Sequence, residues 1–255
     1  MNLLDGKRIV VTGVLTDASL SFAVARLALA EGADVILTGA GRGLSLTRRT
    51  ARKLGNDVPV VEFDATVAEH GTALRDFVAT HWNGVDGIVH GIGFAPETCL
   101  GDDFLRPDWP DVATAIRISA YSYKFLAESL LPLLGRGSSI VGLDFDNTVA
   151  WPAYNWMGVA KSALESINRY LARELGPRGV RSNLVAAGPI RTMAAKSIPS
   201  FARFEDVWDG RAPLGWNVND PEPVAKAVVA LLSDLFPATT GSMIHVDGGF
   251  HATGA

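Results

Sequence analysis

Short runs of β-branched and other apolar residues alternate along the chain with longer stretches whose apolar positions recur at helical spacing. The first run, Arg8-Ile9-Val10-Val11, is followed by Phe22 to Glu31, where Phe22, Ala25 and Leu29 fall on one face of a helix. The same alternation predicts further strands at Val35 to Leu37, Val58 to Phe63, Gly87 to His90, Ser139 to Leu143, Ser182 to Ala186 and Met243 to Val246, seven in all. Their apolar residues run on without the polar alternation of a half-exposed strand, so both faces of the sheet must be covered. Strand and helix in succession then predict a doubly wound α/β fold, with a parallel sheet of about seven strands and helices on both faces. No linker, internal repeat or low-complexity stretch divides the chain, and residues 1–255 read as one domain. The longest segment without a clear element, Arg191 to Asp220, follows a strand end, where ligands of open α/β sheets bind, and is expected to form a lid.

Charge narrows the functional classes. With 23 Lys and Arg against 27 Asp and Glu the formal net charge is −4, which removes any electrostatic case for nucleic acid. A hydrophobic content of 48% with 26 Gly and 13 Pro suits a compact enzyme with many tight turns and excludes a disordered chain. Cys99 stands alone, so no internal disulfide can form, and no Cys or His lies near it at ligand spacing; no metal is expected. The segment Met1 to Lys7 lacks the basic start and apolar run of a signal peptide, and Glu128, Pro132 and Asp234 interrupt the longest apolar stretches. A reduced, cytoplasmic setting without membrane contact is the expectation.

Candidate chemistry clusters at the strand ends. After the first strand, Thr12 to Ser21 must turn from strand to helix; Gly13 permits the turn and Ser19 can offer a hydroxyl beside the helix N-terminus, as a pyrophosphate site in a Rossmann-type fold requires. The three-glycine fingerprint is missing, and Asp17 or Ser19 would serve equally as a plain helix cap. The second strand ends in Thr38-Gly39-Ala40-Gly41-Arg42, without the acid that usually holds a ribose 2′-hydroxyl; Arg42 leans toward a 2′-phosphate or is simply solvated. Asp64 ends the third strand, where it could face an adenine ring, cap a helix beginning near Val67, or do both. In His90-Gly91-Ile92-Gly93-Phe94, two glycines would let a cofactor approach the backbone.

The fifth strand leads into Asp144-Phe145-Asp146, and Tyr154 to Glu165 reads as a helix. On a helix, Tyr154 and Lys161 would share one face, and a lysine ammonium there would lower the tyrosine pKa and prepare the phenol to serve an oxygen gaining charge. The alternative is a core tyrosine with a lysine reaching outward.

With these residues in view the chain resembles the short-chain dehydrogenases/reductases, and within them the divergent branch of NADH-dependent enoyl-acyl-carrier-protein reductases. Ordinary short-chain reductases carry Tyr and Lys four apart, whereas here position 157 is Met and the tyrosine is Tyr154. The likeness extends through Leu4-Asp5-Gly6-Lys7-Arg8, Ser119-Ala120-Tyr121-Ser122, Tyr154-Asn155-Trp156-Met157, Arg181 to Thr192, Thr239-Thr240-Gly241 and Val246-Asp247-Gly248-Gly249. It implies reduction of a trans-2-enoyl thioester by NADH in fatty-acid elongation. Tyr154 would then face the thioester carbonyl, Lys161 the nicotinamide ribose, and Phe145 the hydride path. Gly13, Ser19 and Leu20 would hold pyrophosphate, Asp64 and Ala65 adenine, Gly91, Ile92 and Gly93 the adjoining ribose, and Ile190 and Thr192 the nicotinamide end. It also implies a homotetramer joined through the helices containing Ala127 and Glu165.

Two positions depart from the family pattern: Gly91 stands where serine is common, and Ser21 where alanine is common. The loop from Thr192 to Trp208 resembles the family's shorter version, which points to acyl chains of ordinary length. Leu100, Met157, Ala194, Ile198 and Phe201 are candidates for the acyl pocket or for core packing. Lys196 and Arg203 could meet an acidic acyl carrier protein or be merely solvated. Two other functions stay open: a short-chain reductase of ketones or imines, and a nucleotide-sensing regulator without turnover.

Overall fold

The computed structural model describes residues 2–254 except 56, 194, 196, 197, 199 and 200; the side chains of 202, 203, 205 and 209 likewise lie outside the described residues. Three expectations fall there: Ala194 as a pocket residue, and Lys196 and Arg203 as carrier-protein contacts.

The elements follow one another as β1 (Arg8–Val11), α1 (Leu20–Ala30), β2 (Asp34–Gly39), α2 (Gly41–Ala51), β3 (Val60–Glu62), α3 (Ala68–His81) and β4 (Val85–His90). Then come α4 (Trp109–Ile116), a π-helical stretch (Arg117–Tyr121), α5 (Ser122–Leu130), β5 (Leu134–Asp144), α6 (Trp156–Leu175), β6 (Arg181–Ala187), α7 (Phe201–Arg211), α8 (Glu222–Leu232) and β7 (Met243–Val246). The strands form one sheet in the order β3-β2-β1-β4-β5-β6-β7, and every pairing is parallel. The chain therefore winds outward from β1 to β3 and returns to lay β4 on the other side of β1. That reversal opens a crevice at the carboxyl ends of β1 and β4.

Successive residues of β1 face opposite sides. Ile9 and Val11 join Val35, Leu37, Val89, Val141 and Val185 in a core closed by α1 and α8, through Ala25, Ala28, Val224 and Val228. Val10 joins Ile36, Ile88, Ile140 and Leu184 under Leu74, Val78, Leu126, Leu130 and Leu164 of α3, α5 and α6. This is why the strands read as continuous apolar runs: each residue has its own covered side, worth about 1.5–3 kcal/mol per fully buried aliphatic side chain.

Three expectations are corrected. The third strand shrinks from Val58–Phe63 to Val60–Glu62, because only those residues pair with β2. The segment expected to lack an element contains α7, whose Phe204 and Trp208 are buried in an aromatic cluster. The helix expected from Tyr154 starts at Trp156 and extends to Leu175, leaving Tyr154 in the preceding turn.

Candidate active site

At the β1/β4 crevice, backbone meets backbone. Thr12 Oγ1 donates to the Val89 carbonyl (3.1 Å) and accepts from the Gly91 N–H (2.9 Å), tying the two strand-end turns together. Gly13 sits at φ +81°, and a Cβ there would lie 2.1 Å from the Gly91 carbonyl oxygen, so only glycine fits. The following turn leaves α1 open at its N-terminus. Ser19 occupies the N-cap position, yet its Oγ accepts from the N–H groups of Leu15 (3.3 Å) and Thr16 (3.0 Å) and bonds none in the helix. With no acid in the first turn, the positive end of the helix dipole faces the crevice unopposed beside Leu20.

The neighbouring turns are also held by side chains. Ser119 Oγ, in the π-helical stretch, accepts from the Phe94 N–H (2.9 Å) and donates to the Phe94 carbonyl (2.7 Å), which fixes the end of the turn containing Gly91, Ile92 and Gly93. At Gly93 the nearest atom to an added Cβ is Ser119 Oγ at 4.0 Å. Asp64 accepts through Oδ1 from Thr66 N–H (2.8 Å) and Oγ1 (2.7 Å), while Val67 is the N-cap of α3; the carboxylate shapes a turn before the helix and does not cap it. Burial works against the Asp64 charge, but the Thr66 bonds outweigh it and hold its carboxyl below the ordinary range. Ala65 beside it is half-buried, and Arg42 is exposed in the first turn of α2. A glycine cradle that a Cβ would fill, an uncapped helix end and an ionised acid at the third strand suit a dinucleotide.

The end of β5 is built from side chains. Lys161 Nζ reaches back from α6 to donate to the Leu143 carbonyl (2.9 Å) and stands 3.5 Å from Asp144 Oδ1. Burial pushes the Asp144 carboxyl up to about 6, with the Lys161 charge opposing it, and neither carboxyl oxygen has a hydrogen-bond partner among the described residues. His90 lies in the same buried region. Ser122 Oγ donates to the Ile118 carbonyl (2.6 Å), so the 2.7 Å contact with His90 is a donation from Nε2–H. Its Nδ1 has no partner among the described residues, and burial together with Lys161 lowers its pKa to about 3, keeping the ring neutral.

Tyr154 is set differently from the helical expectation. Its neighbours Ala153 (φ 62°) and Asn155 (φ 51°) are both left-handed non-glycine residues, a strain of order 1 kcal/mol or more each. The loop after Leu100 sustains it: Gly101 N–H donates to the Ala153 carbonyl (2.9 Å) and Asn155 Nδ2 donates to the Gly101 carbonyl (3.1 Å). The tyrosine is only 7% exposed, and its hydroxyl bonds no described residue. Burial first, then the Asp144 charge, push its pKa above the ordinary phenol value; the expected lowering by Lys161 is overturned. The site presents a protonated phenol, a donor and not a tyrosinate.

Around it stands an aromatic wall. Phe145 packs on Tyr154 (5.0 Å between ring centroids), Trp151 (5.5 Å), and Phe204 and Trp208 of α7 (5.8 Å each). Met157, Ile198 and Phe201 border this cluster. Met157 also touches a second apolar group of Ala95, Cys99, Val112 and Ala115, where Leu100 packs. Beyond β6, Ile190 is buried and Thr192 Oγ1 accepts from Ala195 N–H (3.1 Å). Asp144, Ser119, Thr12, Trp151 and Trp208 were given no role by the sequence reading; the one available signal was an acid, Asp144, ending an apolar strand beside Phe145.

The sequence model of a family described as enoyl-(acyl carrier protein) reductase matches residues 13–251. The chain belongs to this family. It is 51% identical to the NADH enoyl-[acyl-carrier-protein] reductase of Mycolicibacterium smegmatis and 50% identical to that of Mycobacterium avium, covering 97% of both chains in each case. Identity to the Escherichia coli enzyme of the same description is 36%, over 98% of this chain and 96% of the relative. The family resemblance read from the Tyr154 motif is thus borne out. Among the described residues, no group of three or more His, Cys, Asp or Glu could hold a metal ion, and no helix is long and apolar enough to cross a membrane.

Proposed function

We propose that this chain uses NADH to reduce the carbon–carbon double bond of trans-2-enoyl chains carried on acyl carrier protein, in fatty-acid elongation. The observation that carries the reading is the protonated hydroxyl of Tyr154, which bonds none of the described residues and is held against Phe145 at the end of β5. NADH bound along the β1/β4 crevice would supply the hydride for the β-carbon, and a proton taken up at the α-carbon completes the reduction. The Tyr154 hydroxyl donates a hydrogen bond to the thioester oxygen as negative charge gathers there, in a site that excludes water and so strengthens the bond. Lys161, anchored by the Leu143 carbonyl, holds the nicotinamide ribose, and Phe145 closes one side of the hydride path. Ile190 and Thr192 border the nicotinamide end; Gly13, Ser19 and Leu20 receive the pyrophosphate; Gly91 to Gly93 take the adjoining ribose, and Asp64 with Ala65 the adenine. Leu100, Met157, Ile198 and Phe201 line the acyl site, which the short Thr192 to Trp208 segment suits to ordinary chain lengths.

Names of relatives that specify NADH favour that cofactor over the 2′-phosphate suggested by Arg42. A homotetramer in the cytoplasm completes the proposal: α6 leaves Val159 and Tyr170 exposed, and Tyr121 is exposed just before α5, an apolar surface suited to partner subunits. Mass measurement in solution checks it.

The test follows NADH absorbance with a trans-2-enoyl thioester, NADPH in parallel. Saturable NADH oxidation that falls by about 10²-fold or more in Tyr154→Phe supports the mechanism. Cofactor binding without consumption of any enoyl thioester would return ketone reduction or nucleotide sensing to the front.

A further inference from the structure

Position 91 is glycine for a reason its backbone does not supply. Its φ lies outside the left-handed region, so the dihedrals alone would accept any residue. Space is what forbids one: a Cβ built on Gly91 would lie 2.0 Å from Ser21 Oγ and 2.9 Å from the Thr12 carbonyl oxygen. The Ser21 hydroxyl thus fills the volume in which a side chain at 91 would begin.

Ser21 is only 2% exposed, and its hydroxyl bonds no described residue. This hydroxyl stands in the first turn of α1, where Ser19 leaves the helix end uncapped. We propose that Ser21 donates its hydroxyl hydrogen to the pyrophosphate of the bound dinucleotide, and that Ser21 and Gly91 form an exclusive pair in which one volume holds one hydroxyl. The inference rests on the cofactor placement above and adds to it a residue and a constraint. The two departures from the family pattern become a single exchange: the hydroxyl that the pattern commonly places on the β4 turn is carried on α1 here.

The experiment uses the full chain and three variants, Ser21→Ala, Gly91→Ser and the double variant. NADH and ADP-ribose, which keeps the pyrophosphate but lacks nicotinamide, are titrated by calorimetry, and the ligand-free Tm is recorded. Ser21→Ala is expected to weaken both ligands about tenfold while the ligand-free Tm holds within about 2 °C. Gly91→Ser lowers the ligand-free Tm, and adding Ser21→Ala to it recovers most of the loss and much of the affinity. Affinities of Ser21→Ala within about twofold of the parent for both ligands would overturn the hydroxyl's role. A double variant no more stable than Gly91→Ser would overturn the exclusive pair. If the parent itself binds neither ligand, the cofactor placement fails together with the hydroxyl's role, a result distinct from losses confined to the variants.

Discussion

The two ends of the site are made of different material. At the β1/β4 crevice the working surface is backbone: Gly13 and Gly91 in contact, a helix terminus without a cap, and Thr12 and Ser119 pinning the turns from behind. At the end of β5 it is side chains: a lysine anchored on a carbonyl, a buried acid facing it, and a tyrosine held in a strained turn against the tilted ring of Phe145. A dinucleotide phosphate asks for close approach and N–H groups, which bare backbone offers. An oxygen that gains charge during a reaction asks for one donor in a dry, fixed place, which only a packed side chain gives.

If the division is real, damage at one end should leave the other intact. The largest effect is expected from Trp208→Ala, which removes a fully buried ring stacked on Phe250 (3.9 Å) and should cost about 3–5 kcal/mol in denaturant unfolding. The catalytic rate should fall with it while the Kd for NADH stays within a few-fold; equal losses in both would show the ends to be one unit.

Asp144 tests the electrostatics of the side-chain end. Its folded pKa, about 6, lies above the unfolded value, so the stability it contributes is fully present below about pH 4 and is lost as pH rises through 6. Asp144→Asn should flatten the stability profile between pH 4 and 7 by up to about 3 kcal/mol, as urea titrations at stepped pH would register. A profile with unchanged slope would mean that another group governs this range.

The smallest effect belongs to the backbone end. Thr12→Val keeps the shape but strands the Gly91 N–H, at a cost of about 1–3 kcal/mol. NADH binding should weaken, whereas the pH profile set by Asp144 should be unmoved; a shifted profile would join the two ends after all.

Much of the fold was legible in the chain because it depends on local pattern. All seven strands lie where apolar runs predicted them, and the errors are at their ends, as at β3, whose length is set by pairing with β2. The candidate site was legible as a set of residues but less so as chemistry. Asp64 was correctly placed at the third strand's end, yet its carboxylate serves Thr66 and not the helix. Tyr154 was singled out, but its helix and the direction of its pKa shift were both misread: the intervening residues have helical period, while the left-handed turn that delays the start of the helix to Trp156 is sustained by Gly101, far away in sequence.

The sequence by itself determined the alternation of strand and helix and the glycine turn after β1, and it singled out Tyr154 and Lys161, because each is a matter of spacing and residue type within a short window; Phe145 entered through the family resemblance. Tertiary structure decided which groups share space and which lose water. It put Ser21 where a Gly91 side chain would begin, set Asp144 against Lys161, and buried Tyr154 among rings from α7 and from the turn after β5. Volume and solvation are properties of all the neighbours at once, and most of those neighbours are remote along the chain.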